Sequence, residues 1–321
     1  MINFIFKRLI YAVLLLLAVL TLNFLLIHIS PGDPVETIAG SMGGMSEDLR
    51  NELVIQFGLD KPFIVQLGIY LQNILMGNFG MSYYFNSPVI DLIWERIPAT
   101  LLLVVVSVII AFLVGTSLGA LAARKPNGLL SQIVTTLSIV GYSAPVFWTG
   151  IVLIIIFASV FPIFPVSDMR TAGSSGTGIG GILDVLHHLV LPSFTLAFVY
   201  VAQYSRLSRA SMIDALSADY IRTARAKGLS ETSVLYKHAL RNAVLPVVTT
   251  LGLQFGNVLA GAILVETVFN WPGLGRLAFD SVLRRDYPTL LGILFFASLL
   301  VVIMNQLTDL AYRIIDPRIK A

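Results

Sequence analysis

The chain has 321 residues, of which 56% are hydrophobic and only 12% charged, with a formal net charge of +3. That balance excludes a water-soluble domain and describes a membrane protein with several spans. Cysteine is absent, which excludes disulfides and thiolate metal sites.

Six long stretches lack any charged side chain: 9–32, 97–123, 126–167, 185–205, 242–265 and 287–308. Each holds an apolar run close to the roughly 20 residues that a spanning helix needs. The first span is expected within residues 1–30. Lys7-Arg8 resembles the basic start of a signal peptide, but the run is too long for a signal core. No small-residue cleavage site follows before Pro31, so the span is read as retained. The segment 31–97 carries eight acids and three bases, a net of −5. A core over 98–312 then holds spans at about 99–122, 132–160, 189–208, 244–268 and 289–311, and 313–321 is a tail. Arg124-Lys125-Pro126-Asn127-Gly128 forms a short basic turn, and Gly173–Gly178 reads as a flexible tract.

The positive-inside rule sets the orientation. With the N-terminus cytoplasmic, the inner segments hold 14 of the 21 bases. The expected protein is all-α, with six transmembrane helices and both termini in the cytoplasm.

Between spans four and five lies a polar loop, 209–243. Ile213, Leu216, Tyr220 and Ala224 recur at helical spacing, so one face of a helix is expected to be buried. Arg222, Arg225 and Lys227 lie in its last turn, where positive charge suits a helix C-terminus. Thr223, Ala226 and Leu229 complete the stretch, and Gly228 is the expected left-handed stop. Ser230 then caps a second helix with Glu231 at its positive end, running through His238 to about Asn242. A helix–glycine–helix elbow of this kind is a compact knob for a soluble partner.

The elbow resembles the cytoplasmic coupling loop of bacterial ABC-importer permeases, whose pattern is E-A-A-x3-G-x9-I-x-L-P. Arg222, Thr223, Ala224 and Gly228 occupy that frame, with Arg222 in place of the Glu and Thr223 in place of the first Ala. The I-x-L-P part falls on His238, Leu240 and Arg241, and Leu245-Pro246 arrives five residues late. These departures are themselves similar to the peptide/nickel branch, whose loops read R-T-A-R-A-K-G-L and then H-A-L-R-N. Ser30–Pro34, Phe57–Pro62, Gly77–Ser82, Glu95–Thr100, Glu266–Gly275 and Asp316-Pro317-Arg318 look like that branch's other segments, in its order.

The resemblance implies a type I importer permease of the B-type, in the bacterial inner (plasma) membrane. It implies a second, similar permease, two cytoplasmic ATPases that bind ATP and Mg, an extracytoplasmic substrate-binding protein, and no nucleic acid. Di- or oligopeptides are the expected substrate; nickel or another small solute is the alternative. The elbow, 219–243, would couple ATPase motion to alternating access.

The residues themselves agree with a subunit that is not an enzyme and needs no cofactor of its own. None of the six lysines follows a glycine, so no phosphate-binding Gly-Lys can be assembled. Gly115-Thr116-Ser117-Leu118-Gly119 matches a hydrolase nucleophile turn but lies in an apolar run with no preceding strand. The same residues give G-x-x-x-G, a close-packing motif for membrane helices. No histidine is followed by the Glu of a zinc-protease helix, and His187-His188 reads as a polar pair at a membrane boundary. Asn23, Gln203, Gln254, Asn257, Asn305, Gln306, Asp309 and Glu266 are polar within or beside spans. Interhelical hydrogen bonding accounts for most, and Gln254 with Asn257, beside Gly256, are the candidates for lining a pathway. An ion-gradient-driven transporter would want acids inside the membrane; Glu266 and Asp309 come near, both at span ends.

Overall fold

The computed structural model describes residues 2–29, 46–47, 51, 54–55, 60–82, 84–173, 176 and 178–315. Ser30–Pro34, Phe57–Leu59, Ser174 and Asp316-Pro317-Arg318 lie outside the described residues, as does the Asp309 side chain.

The elements in chain order are α1 (Ile2–Ile29), α2 (Phe63–Leu75), β1 (Met81–Ser82), β2 (Ser87–Pro88), α3 (Val89–Ala123), α4 (Leu129–Ser143) and α5 (Val146–Ile154). A π-helical turn, Ile155–Val160, extends α5. Then come α6 (Gly178–Ser217), α7 (Asp219–Ala226), α8 (Glu231–Ser233), a π-helical stretch Val234–Ala239, and α9 (Leu240–Ala243). The last are α10 (Leu245–Leu253), α11 (Phe255–Val268), α12 (Leu274–Arg284) and α13 (Tyr287–Ile315). The two short strands pair antiparallel.

Among the described residues, α3, α6 and α13 are each long and apolar enough to cross a bilayer, and two bent helix pairs raise the count to five if each is one span. The bends correct two expected continuous spans. Span three is broken by 106° between α4 and α5. Ala144 is extended (ψ 129°) because the following Pro145 disfavours a helical residue before it. Span five is broken by 62° around Gln254. Spans two and four are longer than expected, reaching 89 and 178 at their starts, and α6 spans 40 residues, about 60 Å. Gly178, placed in a flexible tract by composition, opens that helix.

Two compact units share the chain. In the first (residues 1–98 and 276–303), Phe24 of α1 meets Phe63 and Tyr70 of α2 at ring separations of 5.1 and 5.7 Å. Ser82 Oγ donates to the Asp286 carboxylate, which also accepts from Thr289 Oγ1 at 2.7 Å and caps α13 by accepting from the Thr289 N–H at 3.4 Å. Gly292 lets α13 close on α3: a Cβ there would stand 2.7 Å from Val89 Cγ1.

The second unit (99–275 and 304–320) holds the larger core. Here α3 and α6 run parallel, because successive glycines of α3 meet successive turns of α6. A Cβ on Gly115 would stand 2.9 Å from Tyr204 Cβ, and one on Gly119 would overlap the Ser205 backbone. Ser208 Oγ donates across the same interface to the Thr116 carbonyl at 3.0 Å. The Gly115–Gly119 motif is therefore a packing surface. In contrast, α4 runs antiparallel to α6, with Arg209 Nε donating to Ser131 Oγ at 2.6 Å and Ser138 bonded to Ser205 at 2.9 Å. Gly252 packs against Thr308 of α13. Between α3, α4 and α6 the hydrogen bonds run through serines, a threonine carbonyl and Arg209, while His28 of α1 pairs with Gln66 of α2 at 2.8 Å.

The loop from Glu266 to Gly275 is locked from within. Glu266 is 0% exposed, and its carboxylate accepts from Thr100 Oγ1 and the Gly275 N–H, each at 2.7 Å. Thr100 Oγ1 accepts in turn from the Leu274 N–H at 2.8 Å, and buried Trp271 donates through Nε1 to the Ala99 carbonyl at 2.9 Å. A Cβ on Gly273 would fall on the Glu266 carboxyl group, so the chain can pass there only as glycine.

Candidate functional site

The elbow is built on a small apolar core of its own. Ile221, Ala224, Val234, Leu235, Ala239 and Ala243 are buried together with Met212 of α6 and with Ala120 and Ala123 of α3. Burying Ile221 alone is worth about 2 kcal/mol.

The entry to the elbow differs from expectation. A single helix through 213–224 would bury Tyr220, but α6 ends at Ser217, Ala218 is extended (ψ 150°), and α7 starts afresh at Asp219. The break advances the apolar phase by one residue. Ile221 is therefore fully buried, and Tyr220 is 42% exposed. Asp219 supplies the acid of the first turn and pairs with Arg222 at 3.4 Å, both highly exposed.

The exit follows expectation closely. Gly228 has φ +75°. Its N–H bonds to the Arg225 carbonyl at 2.9 Å, and the Leu229 N–H reaches the Ala224 carbonyl at 3.4 Å. That pair of bonds is a Schellman stop, which satisfies the last carbonyls of α7. Ser230 is extended and its hydroxyl accepts from the Ser233 N–H at 3.4 Å, starting the second helix. The second helix continues through the π-helical stretch to Ala243.

The frame residues sort by structural demand. Ala224 is buried and Gly228 left-handed, and these keep the importer pattern. Arg222 and Thr223, which depart from it, are exposed; the Thr223 hydroxyl only bonds back to the Asp219 carbonyl at 3.1 Å. Arg225, Ala226, Lys227, Leu229 and Ser230 are exposed as well, and His238 is half-buried. The elbow so presents Tyr220, Leu229 and Tyr236 among cations, with its own core behind them.

One contact was not legible in the chain. Arg225 reaches across the glycine stop to Glu231, with Nε to Oε1 at 2.9 Å and Nη2 to Oε2 at 3.3 Å. A six-residue spacing fits no helical period, so only the stop geometry brings the two together. These hydrogen bonds hold the Glu231 carboxyl below its ordinary value of 4.5, with further help from the Arg225 and Arg124 charges. The same bonds raise Arg225.

Gln254 and Asn257 flank Gly256 at the start of α11. Gln254 stands in the break between α10 and α11, its Oε1 buried with no hydrogen-bond partner, and Asn257 is exposed on α11. The two histidines at 187 and 188 are engaged with the backbone, Nε2 of His187 to the Ile163 carbonyl at 2.9 Å and Nδ1 of His188 to that of Asp184 at 2.8 Å.

Residues 115–321, which include the whole elbow, match the model of the family described as binding-protein-dependent transport system inner membrane component. Residues 1–104 match the corresponding N-terminal model. The chain belongs to this family. It is therefore a multi-pass inner-membrane component of a transport system. Among its relatives, the oligopeptide transport system permease protein AppB of Bacillus subtilis is 38% identical over 318 residues, covering 99% of each chain. The dipeptide transport system permease protein DppB of Escherichia coli K12 is 39% identical over 337 aligned residues, 100% of this chain and 99% of that one. In fold, 70% of this chain matches 96% of a chain of the MetNI methionine ABC transporter, solved in inward-facing conformations, at a TM-score of 0.56 and 15% identity.

Proposed function

We propose that this component is the B-type permease subunit of an ATP-driven, binding-protein-dependent importer of di- and oligopeptides. The elbow 219–243 is its contact with a cytoplasmic ATPase. The observation that carries this reading is the glycine-stopped elbow: its inner face is closed by its own core, and its outer face offers aromatic, leucine and cationic side chains to a soluble partner. Relatives that match over the whole length are named for peptide transport.

On this reading the chain crosses the membrane six times, α1 included, with both ends and the elbow in the cytoplasm. A second permease, two ATPases holding ATP and Mg, and an extracytoplasmic binding protein complete the assembly. Gln254 and Asn257 line the pathway, since non-helical backbone at membrane depth is tolerated where it faces a cavity. ATP-driven closure moves the elbow, and the partner shifts the permease only by its differential affinity for the two states.

Uptake of labelled di- and tripeptides in cells lacking this chain tests the substrate. Loss of that uptake, restored by the native chain, is expected; unchanged peptide uptake with loss of another nutrient refutes it. Because the chain has no cysteine, single substitutions report sidedness. Ser230→Cys should be labelled only from the cytoplasm and Ser174→Cys only from outside.

A further inference from the structure

Arg225 lies in the last turn of α7 and Glu231 in the first turn of α8, on either side of Gly228. An exposed ion pair of this kind adds little to stability. Its geometry is nevertheless specific, because a guanidinium fork engaging both carboxylate oxygens fixes direction as well as distance. The joint it spans is otherwise open: nothing lies within 4 Å of where a Gly228 Cβ would stand. On the buried side the two helices are held by Ile221 and Ala224 against Val234 and Leu235. On the solvent side the Arg225–Glu231 fork closes the angle.

We propose that Arg225 and Glu231 are positioning residues: together they form a strut that holds the two elbow helices at the angle needed to pass ATPase motion to the spans, without touching the ATPase. This rests on the coupling reading of the same loop. The fork biases the angle only by its own small free energy, and that bias acts at one open joint rather than on the fold as a whole. The joint stays set without adding to the permease's folding stability.

The test uses the complete transporter reconstituted in liposomes. Spin labels on Thr223→Cys and Lys237→Cys, one on each helix, report the angle as a distance distribution. A narrow distribution is expected in the parent, a broadened one in Arg225→Gln and in Glu231→Gln, and a narrow one again in the exchanged pair Arg225→Glu/Glu231→Arg. Radiolabelled trialanine delivered per ATP hydrolysed should fall by up to about fivefold in each single variant, the most that an exposed pair of this kind can bias one arrangement over another. Most of it should return in the exchanged pair. An unchanged distance distribution in the single variants overturns the strut. So does a silent Glu231→Gln beside an inactive Arg225→Gln, which would make Arg225 a direct contact. If Gly228→Val abolishes transport while Arg225→Gln transports normally, the strut alone is wrong. If Gly228→Val also transports normally, the coupling reading itself fails.

Discussion

The elbow and the Glu266–Gly275 loop both turn the chain through glycine into a new helix, yet they are held by opposite means. In the elbow the buried contacts are apolar and the polar pairs are exposed. In the loop the polar group is the buried one: the Glu266 carboxylate, at 0% exposure, accepts from a hydroxyl 166 residues away and from a backbone N–H nine residues on. Exposed polar contacts are each worth about 1 kcal/mol or less and can be altered one at a time. A buried carboxylate must keep all its partners, because each one left unmade costs the full desolvation of that group. The elbow thus keeps its fold when one exposed contact is altered, even where transport suffers, and the loop holds or fails as a unit.

Glu266→Leu gives the sharpest break in that comparison. It strands the Thr100 hydroxyl and the Gly275 N–H at about 1–3 kcal/mol each. A large fall in the thermal stability of the detergent-purified protein is expected, and Gly273→Ala should behave alike by pushing a methyl into the carboxylate. Stability equal to the parent would show that the loop is not locked.

Gly228→Val comes next, with a different signature. A β-branched residue at φ +75° is strained by about 1–2 kcal/mol. Membrane insertion and yield should stay near normal while trialanine uptake collapses and the separate ATPases still hydrolyse ATP. Ala224→Glu should reach the same end by placing an unpaired charge in the elbow core. Loss of expression instead of uptake would put the elbow in the same class as the loop.

Ser230→Ala removes a cap whose hydrogen bond is already long at 3.4 Å, so about 0.5 kcal/mol is expected, with partial uptake. Hydrogen exchange should rise at the amides of 231–233 and remain unchanged at 274–275.

The smallest effect is that of acid. The folded Glu231 carboxyl titrates below its ordinary value of 4.5, so the unfolded chain takes up the proton first. The pair's contribution is complete above that value and is lost as pH falls through the depressed one. The spin-label distance across the elbow should hold at neutral pH and broaden only in acid below 4.5. Broadening already near neutral pH would contradict the shift.

Much of this protein could be read directly from the chain, wherever the determining interaction is local. Charge-free runs mark the spans because a bilayer admits few charges. Gly228 marks the stop and Ser230 the cap because both act within a few residues of themselves. Pro145 carried its message too, since a proline restricts the residue before it, but how far the chain turns there, 106°, depends on what α4 and α5 pack against. The break at Ala218 was hidden: Leu216 and Tyr220 fit a continuous helix, and only burial of Ile221 beside Met212 and the α3 alanines selects the other phase. The cradle of Glu266 was out of reach for the same reason, with Thr100 166 residues away and the fit decided by the missing side chain of Gly273. Local sequence sets where helices start, stop and enter the membrane. Which face is buried, and which carboxylate finds its donors, was decided by contacts that exist only after the chain has packed.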